Sequence, residues 1–79
     1  MSTLSSQHEF NLTGLKCPMP IVMLSRYIKD LNIDEQLTVF ADDPAFCLDV
    51  EAWCNKTGHE LQSLDNSNHQ LVAVIRKRG

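Results

Sequence analysis

The stretch Gly14-Leu15-Lys16-Cys17-Pro18-Met19-Pro20 places a thiol where a strand gives way to a helix. Proline is favoured at the first position of a helix, so Pro18 predicts a helix start with Cys17 as its N-cap and Pro20 in the first turn. The unpaired N–H groups and positive dipole of a helix N-terminus favour thiolate over thiol, and the Lys16 charge acts in the same direction. We therefore predict that Cys17 is a reactive cysteine supported by Lys16, Pro18 and Pro20.

A purely structural capping role for Cys17 is the alternative, but Ser, Thr, Asp and Asn make better N-caps than cysteine. A dithiol motif would place a second cysteine at position 20, which is Pro20. Without a local resolving thiol, the partner must resolve the bond, as in sulfane-sulfur transfer, mixed-disulfide formation or acyl transfer. Acyl transfer ranks last because it needs a histidine base, and no motif assigns that role to His8, His59 or His69.

The segments on either side of this stretch predict a strand followed by an amphipathic helix. Residues 9–13 alternate polar and apolar side chains, as a half-buried strand does. From position 18 to about 31 apolar residues recur at helical spacing. These residues are Ile21, Leu24, Ile28 and Leu31.

Three residues of this helix are candidates for partner docking. Met19 lies beside the cysteine and offers an adaptable apolar contact. Arg26 and Lys29 fall off the apolar stripe and could supply docking charges, although a solvated helix face also explains them.

The centre of the chain predicts a second strand at 37–41 and a second helix. A strand, helix and strand of this length imply a right-handed parallel crossover. Asp43 as N-cap and Pro44 at the first helical position start the second helix, and Gly58 ends it. Its apolar stripe contains Phe46, Cys47, Val50, Trp53 and Cys54.

The C-terminal part predicts a third strand at 59–64, a polar turn at 65–68 and a fourth strand at 70–75. The fourth strand is apolar on both faces, so it should lie inside the sheet, antiparallel to its two neighbours, the second and third strands. The predicted fold is an α/β two-layer sandwich of order β-α-β-α-β-β. Its four-stranded mixed sheet has the order 1-2-4-3, with two helices on one face.

Length and composition predict a single small domain over residues 1–79, with residues 1–8 as a flexible N-terminus. A chain of 79 residues cannot enclose a large pocket, so it should work on its surface. No apolar run is long enough to span a membrane, and the N-terminus lacks a signal-peptide core. A net charge of −3 argues against general nucleic-acid binding. We expect a cytoplasmic protein without direct nucleic-acid or membrane partners.

The three cysteines do not form a disulfide framework, because their number is odd and their spacing irregular. Cys47 and Cys54 are seven residues apart on one helix, a rise of about 10 Å, which is too far for a disulfide. On the apolar stripe they are interpreted as small hydrophobic residues. No histidine has zinc-ligand spacing from them, so neither a metal nor a cofactor is predicted.

With these motifs in order, the sequence resembles the TusA/SirA-like family of small sulfur-carrier proteins from about residue 9 to residue 79. The resemblance begins with the Gly-Leu-Lys-Cys-Pro-x-Pro motif at 14–20. It continues through Ala-Asp-Asp-Pro at 41–44, Trp-Cys at 53–54, Gly-His-Glu-Leu at 58–61 and Ile-Arg-Lys at 75–77. It implies a two-layer α/β sandwich in which Cys17 carries sulfur as a persulfide.

The resemblance also implies partners and a pathway. A cysteine desulfurase or similar donor would load Cys17, and an acceptor protein in a sulfur relay would unload it, with tRNA 2-thiouridine formation as the first candidate pathway. Such a protein is a sulfurtransferase that acts as a stoichiometric carrier. Other family members serve sulfur oxidation or cofactor biosynthesis. The alternative from another class is a thiol-based redox or regulatory interaction module.

Overall fold

The computed structural model describes residues 7–68 and 70–79. The chain runs in the order β1 (Gln7–Asn11), α1 (Met19–Lys29), β2 (Gln36–Ala41), α2 (Phe46–Thr57), β3 (Glu60–Ser67) and β4 (Gln70–Arg76). The element order predicted from sequence is confirmed. Of the segment expected to be a flexible N-terminus, residues 1–6 lie outside the described residues, whereas Gln7 and His8 belong to β1. None of the helices in the described ranges is long and apolar enough to cross a membrane.

The sheet has the strand order β1-β2-β4-β3, as predicted. β1 pairs with β2 in parallel, and β4 is antiparallel to both β2 and β3. β3 therefore runs in the same direction as β2, and each helix is a crossover between two parallel strands. As a result, α1 and α2 both begin at the edge of the sheet where β1 and β2 end.

The core lies between the sheet and the two helices. Alternate residues of the central strands are fully buried, because successive side chains of a strand point to opposite faces. The buried strand residues are Leu37, Val39, Ala41, Leu71, Ala73 and Ile75. The helices cover them with Leu24, Ile28, Phe46, Val50 and Cys54.

Two side-chain contacts hold α1 in place. The Phe10 ring of β1 stacks on the Tyr27 ring with a centroid separation of 3.7 Å. The Trp53 indole N–H of α2 donates a hydrogen bond to the Ser25 hydroxyl at 3.0 Å. Trp53, predicted as part of the apolar stripe, is thus half-buried and also links the two helices.

The start of α2 differs from the prediction, while its end agrees. Asp43 was expected as N-cap, but the helix begins at Phe46 with Ala45 as N-cap. The reason is a separate turn before the helix. Phe46 N–H donates a hydrogen bond to the Asp43 carbonyl at 2.9 Å and closes this turn. Gly58 is the predicted C-terminal stop, with a left-handed φ of 87° that glycine adopts without strain.

The predicted polar turn at 65–68 is wrong in extent. β3 continues to Ser67, and Asp65, Asn66 and Ser67 pair with residues 70–72 of β4. Pairing with β4 uses only backbone hydrogen bonds, so it does not depend on apolar side chains. The polar side chains of this edge strand therefore stay in solvent. His69 lies outside the described residues.

The helix cysteines occupy two different environments. Cys54 is buried, with 4% of its surface exposed, and burial raises the pKa of its thiol to about 11. Cys47 is half-buried and packs against the core. The interpretation of both as small packing residues agrees with these positions.

Replacement of Cys54 by serine should lower stability and leave the exposed Cys17 thiol in place. A buried hydroxyl without a partner costs about 1–3 kcal/mol, and each kcal/mol lowers the Tm of a domain this small by about 4–8 °C. Thermal unfolding of Cys54→Ser and of the half-buried Cys47→Ser, which should lose less, tests this assignment. An unchanged Tm for Cys54→Ser would show that position 54 tolerates a polar atom.

Candidate functional site

The loop that carries Cys17 is tied to the end of β2 by three hydrogen bonds. Three backbone N–H groups of the loop donate to successive acceptors of β2 and the residues after it. The bonds join Leu12 N–H to the Phe40 carbonyl (2.6 Å), Gly14 N–H to Asp42 Oδ1 (2.9 Å) and Cys17 N–H to Asp43 Oδ2 (2.7 Å). Gly14 has a left-handed φ of 86°, which other residues rarely adopt. The Cys17 backbone is therefore held at a defined place beside α2.

Cys17 lies one residue before the N-cap of α1, so its predicted capping position is wrong. The helix begins at Met19 with Pro18 as N-cap, and Pro20 is buried in the first turn. Residues 16–19 form a turn of their own, in which Met19 N–H donates to the Lys16 carbonyl at 2.8 Å. The first helical hydrogen bond comes later, where Val22 N–H donates to the Pro18 carbonyl at 3.1 Å. The Cys17–Pro18 peptide bond is cis.

The electrostatic surroundings of the thiol are acidic. The pKa of Cys17 is raised from its ordinary value, with side-chain hydrogen bonding to Asp49 as the largest cause. Slight desolvation and the negative charges of Asp49 and Asp43 raise it further. The direction of the net shift is opposite to the prediction that Lys16 and the helix N-terminus make this thiol more acidic. Lys16 is exposed and is not among the groups that shift the pKa of Cys17.

Large apolar side chains are exposed on the first turns of both helices. Met19 and Val22 of α1 are 43% and 40% exposed, and Leu48 of α2 is 72% exposed. Both first turns lie at the edge of the sheet that carries Cys17. We call Met19, Val22 and Leu48 the apolar rim. Exposed apolar groups at the same end of the sheet as an exposed thiol suit contact with another protein.

The other two predicted docking residues do not lie with the thiol. Arg26 and Lys29 are exposed in the last turn of α1. The helical rise places them about 10 and 15 Å from Met19 along the axis. Basic groups at this end also interact favourably with the helix dipole. A docking role for Arg26 and Lys29 stays a prediction, separate from the apolar rim.

The acidic neighbours of Cys17 were missed at the level of sequence. Asp43 was assigned only as a helix start, and Asp49 was assigned no role. A signal was present, because parallel pairing of β1 and β2 brings residues 42–43 to the same sheet edge as the cysteine loop. Asp49 lies in the first turn of α2, which begins at that edge.

The described residues contain no group of three or more His, Cys, Asp or Glu side chains placed to hold a metal ion. A shallow depression nearby is lined by Asp42, Pro44, Asn66 and Leu71 and does not include Cys17. The Cys17 side chain itself is exposed. Because the thiol is exposed, it can react with a group that another molecule brings to the protein surface.

Comparison with known proteins identifies the family. The family model described as sulfurtransferase TusA matches residues 8–77. The chain belongs to the TusA family. The match includes the Cys17 loop, both helices and all but the first residue of the described sheet.

This TusA-family chain is also similar to a curated protein and to a solved structure. It is 41% identical over 66 residues to the putative sulfur carrier protein YrkF of Bacillus subtilis (strain 168). That alignment covers 84% of this chain and 36% of YrkF, so the chain spans about a third of that relative. The crystal structure of a SirA-like protein from Desulfitobacterium hafniense has a TM-score of 0.77 at 16% identity. It covers 91% of this chain and 99% of the other, and it shows that the fold is shared.

Removal of the Asp49 charge should make Cys17 more reactive towards alkylating reagents near neutral pH. In Asp49→Asn the pKa of Cys17 should fall, because a negative charge and its strong hydrogen-bond acceptor are lost. A lower pKa increases the fraction of Cys17 that is thiolate at any pH below the original pKa. The accompanying loss of nucleophilicity cancels only about half of that gain, since the Brønsted coefficient is about 0.4–0.5.

The measurement is the rate of iodoacetamide alkylation of Cys17 against pH, by mass spectrometry of its peptide. Glu51→Gln is the matched control, since Glu51 is an exposed carboxylate of the same helix that does not shift this pKa. A profile for Asp49→Asn that coincides with that of the unmodified protein would exclude Asp49 as the controlling group.

Proposed function

We propose that this protein is a sulfur carrier that binds sulfane sulfur as a persulfide on Cys17 and delivers it to an acceptor. One observation carries the proposal: within the matched TusA domain, the Cys-Pro-x-Pro cysteine is an exposed thiol on a loop anchored at 2.7 Å to a buried carboxylate. A fixed, exposed thiol is suited to attack on a sulfur atom that another protein presents.

The transfer proceeds by two displacements at sulfur. The Cys17 thiolate attacks the outer sulfur of a donor cysteine persulfide, forming a new S–S bond as the donor S–S bond breaks and the donor thiolate leaves. The proton lost by Cys17 balances the proton taken up by that leaving thiolate. An acceptor thiolate then attacks the outer sulfur on Cys17 and returns Cys17 to its thiolate form.

A single cysteine is sufficient for this cycle, because each partner supplies its own thiol. The other two cysteines of the chain belong to the packing of α2, one buried and one half-buried. The protein therefore acts as a stoichiometric carrier in a sulfurtransferase reaction. The apolar rim of Met19, Val22 and Leu48 provides the surface on which donor and acceptor proteins meet the thiol.

We propose a cysteine desulfurase as the donor and a relay towards tRNA 2-thiouridine as the first candidate pathway. Sulfur oxidation and cofactor biosynthesis are the other pathways open to a carrier of this kind. All three cysteines are free thiols, which fits the proposed location in the reducing cytoplasm.

A redox-sensing or regulatory module that uses the same thiol is the second candidate function. Sensor cysteines are typically accessible thiols of low pKa. Cys17 is accessible, but its acidic neighbours raise its pKa. The carrier function is favoured, because docking of a partner can position and activate a thiol whose pKa is raised in the free protein.

Incubation with a cysteine desulfurase and cysteine should add one sulfur to the protein, and a reductant should remove it. Intact-mass analysis measures this adduct. Cys17→Ser should fold, because an exposed loop position tolerates a hydroxyl, and should accept no sulfur. Persulfide on Cys17→Ser would overturn the site assignment. Glutathionylation of the unmodified protein in place of persulfide formation would favour the sensor.

A further inference from the structure

The Asp43 carboxylate joins the nucleophile loop to the start of α2. Its Oδ2 accepts the hydrogen bond from Cys17 N–H at 2.7 Å, and its Oδ1 accepts one from Ala45 N–H at 3.2 Å. Only 8% of the Asp43 surface is exposed. Both oxygens of a buried side chain are therefore used to hold two backbone segments together.

Burial of this carboxylate is costly unless its charge is compensated. Among the residues that the structure describes, none of the ion pairs includes Asp43. Its compensation comes from backbone N–H groups, and hydrogen bonds to an ionised acceptor are about twice as strong as neutral ones. A side chain that stabilised only the turn before α2 would need one oxygen for Ala45 N–H, whereas the second oxygen of Asp43 accepts from Cys17 N–H.

We propose that Asp43 is a positioning residue for sulfur transfer, which fixes the Cys17 backbone against the first turn of α2 so that its sulfur meets the partner's sulfur in line. This inference rests on the proposed carrier function. Displacement at sulfur requires a defined approach of the attacking atom, and a misplacement of about 1 Å can cost about 100-fold in rate.

Asp42 provides a matched comparison within the same loop. Its Oδ1 accepts one hydrogen bond, from Gly14 N–H at 2.9 Å, and its side chain is exposed. Asparagine keeps one carbonyl oxygen, so Asp42→Asn retains this bond. In Asp43→Asn one of two bonds must be lost, because the amide NH2 is a donor and cannot accept from an N–H group. Both substitutions remove one negative charge.

The test compares two sulfur donors for each variant. Inorganic polysulfide is a small donor that reaches an exposed thiol from many directions, whereas a cysteine desulfurase loaded with cysteine presents its persulfide in one geometry. For Asp43→Asn we expect sulfur acceptance from the desulfurase to fall by about 10- to 100-fold at saturating carrier, with a nearly unchanged KM. Acceptance from polysulfide should be no slower than in the unmodified protein. Asp42→Asn should lose less with the desulfurase.

Three outcomes would overturn the inference or its basis. Asparagine at position 43 can keep either bond, so equal desulfurase rates for Asp43→Asn and Asp42→Asn, repeated with Asp43→Ser, would exclude a positioning role. A parallel loss with both donors, in proportion to the unfolded fraction measured by circular dichroism, would make Asp43 a purely structural residue. Failure of the unmodified protein to accept sulfur from either donor would instead refute the proposed carrier function.

A second variant covers the case in which Asp43→Asn does not fold. Serine is a good acceptor for the N–H groups at a helix start, so Asp43→Ser can keep the bond to Ala45 while Cys17 N–H loses its partner. The positioning role predicts the same selective loss with the desulfurase. Transfer at the unmodified rate by folded Asp43→Ser would contradict it.

Discussion

The parallel pairing of β1 with β2 is the constraint on which the rest of the structure depends. Because the two strands run in the same direction, α1 must cross over the sheet to connect them, and it covers one face. α2 makes the same kind of crossover from β2 to β3, with β4 between them. The first turns of both helices, the cysteine loop and the acidic residues after β2 consequently share one edge of the sheet.

At that edge, two opposing electrostatic influences act on Cys17. A helix N-terminus stabilises an anion by about 0.3–1 kcal/mol, and the effect falls off within the first turn. Cys17 lies before the N-cap, while the neighbouring carboxylates of Asp49 and Asp43 raise the pKa of its thiol. The direction of the pKa shift follows the carboxylates, which raise the pKa of Cys17 above its ordinary value.

The carboxylates of Asp42 and Asp43 also hold the cysteine loop in place. Asp42 and Asp43 take hydrogen bonds from backbone N–H groups that no sheet partner could satisfy in an irregular loop. A domain of this size buries only a modest core, so local anchoring of the reactive loop matters more than enclosure in a pocket. The structure presents an exposed thiol on a loop held by these hydrogen bonds, at the same end of the sheet as the apolar rim.

The sequence by itself determined the element order, the sheet order 1-2-4-3 and the core positions, because periodicity and Pro and Gly signals are local. It also singled out Cys17 through the local Cys-Pro-x-Pro motif, and the reactivity of Cys17 stays a prediction. It did not determine that Cys17 precedes the N-cap, that β3 extends through polar residues or that Asp43 and Asp49 flank the thiol. The position of Asp43 and Asp49 depends on contacts between segments about 26 to 32 residues apart, which parallel pairing of β1 and β2 brings together. The extension of β3 depends on its backbone pairing with β4, and the position of Cys17 on the turn closed by Met19 N–H and the Lys16 carbonyl. The ordinary helix-start pattern at Asp43 also concealed that its carboxylate serves two segments at once.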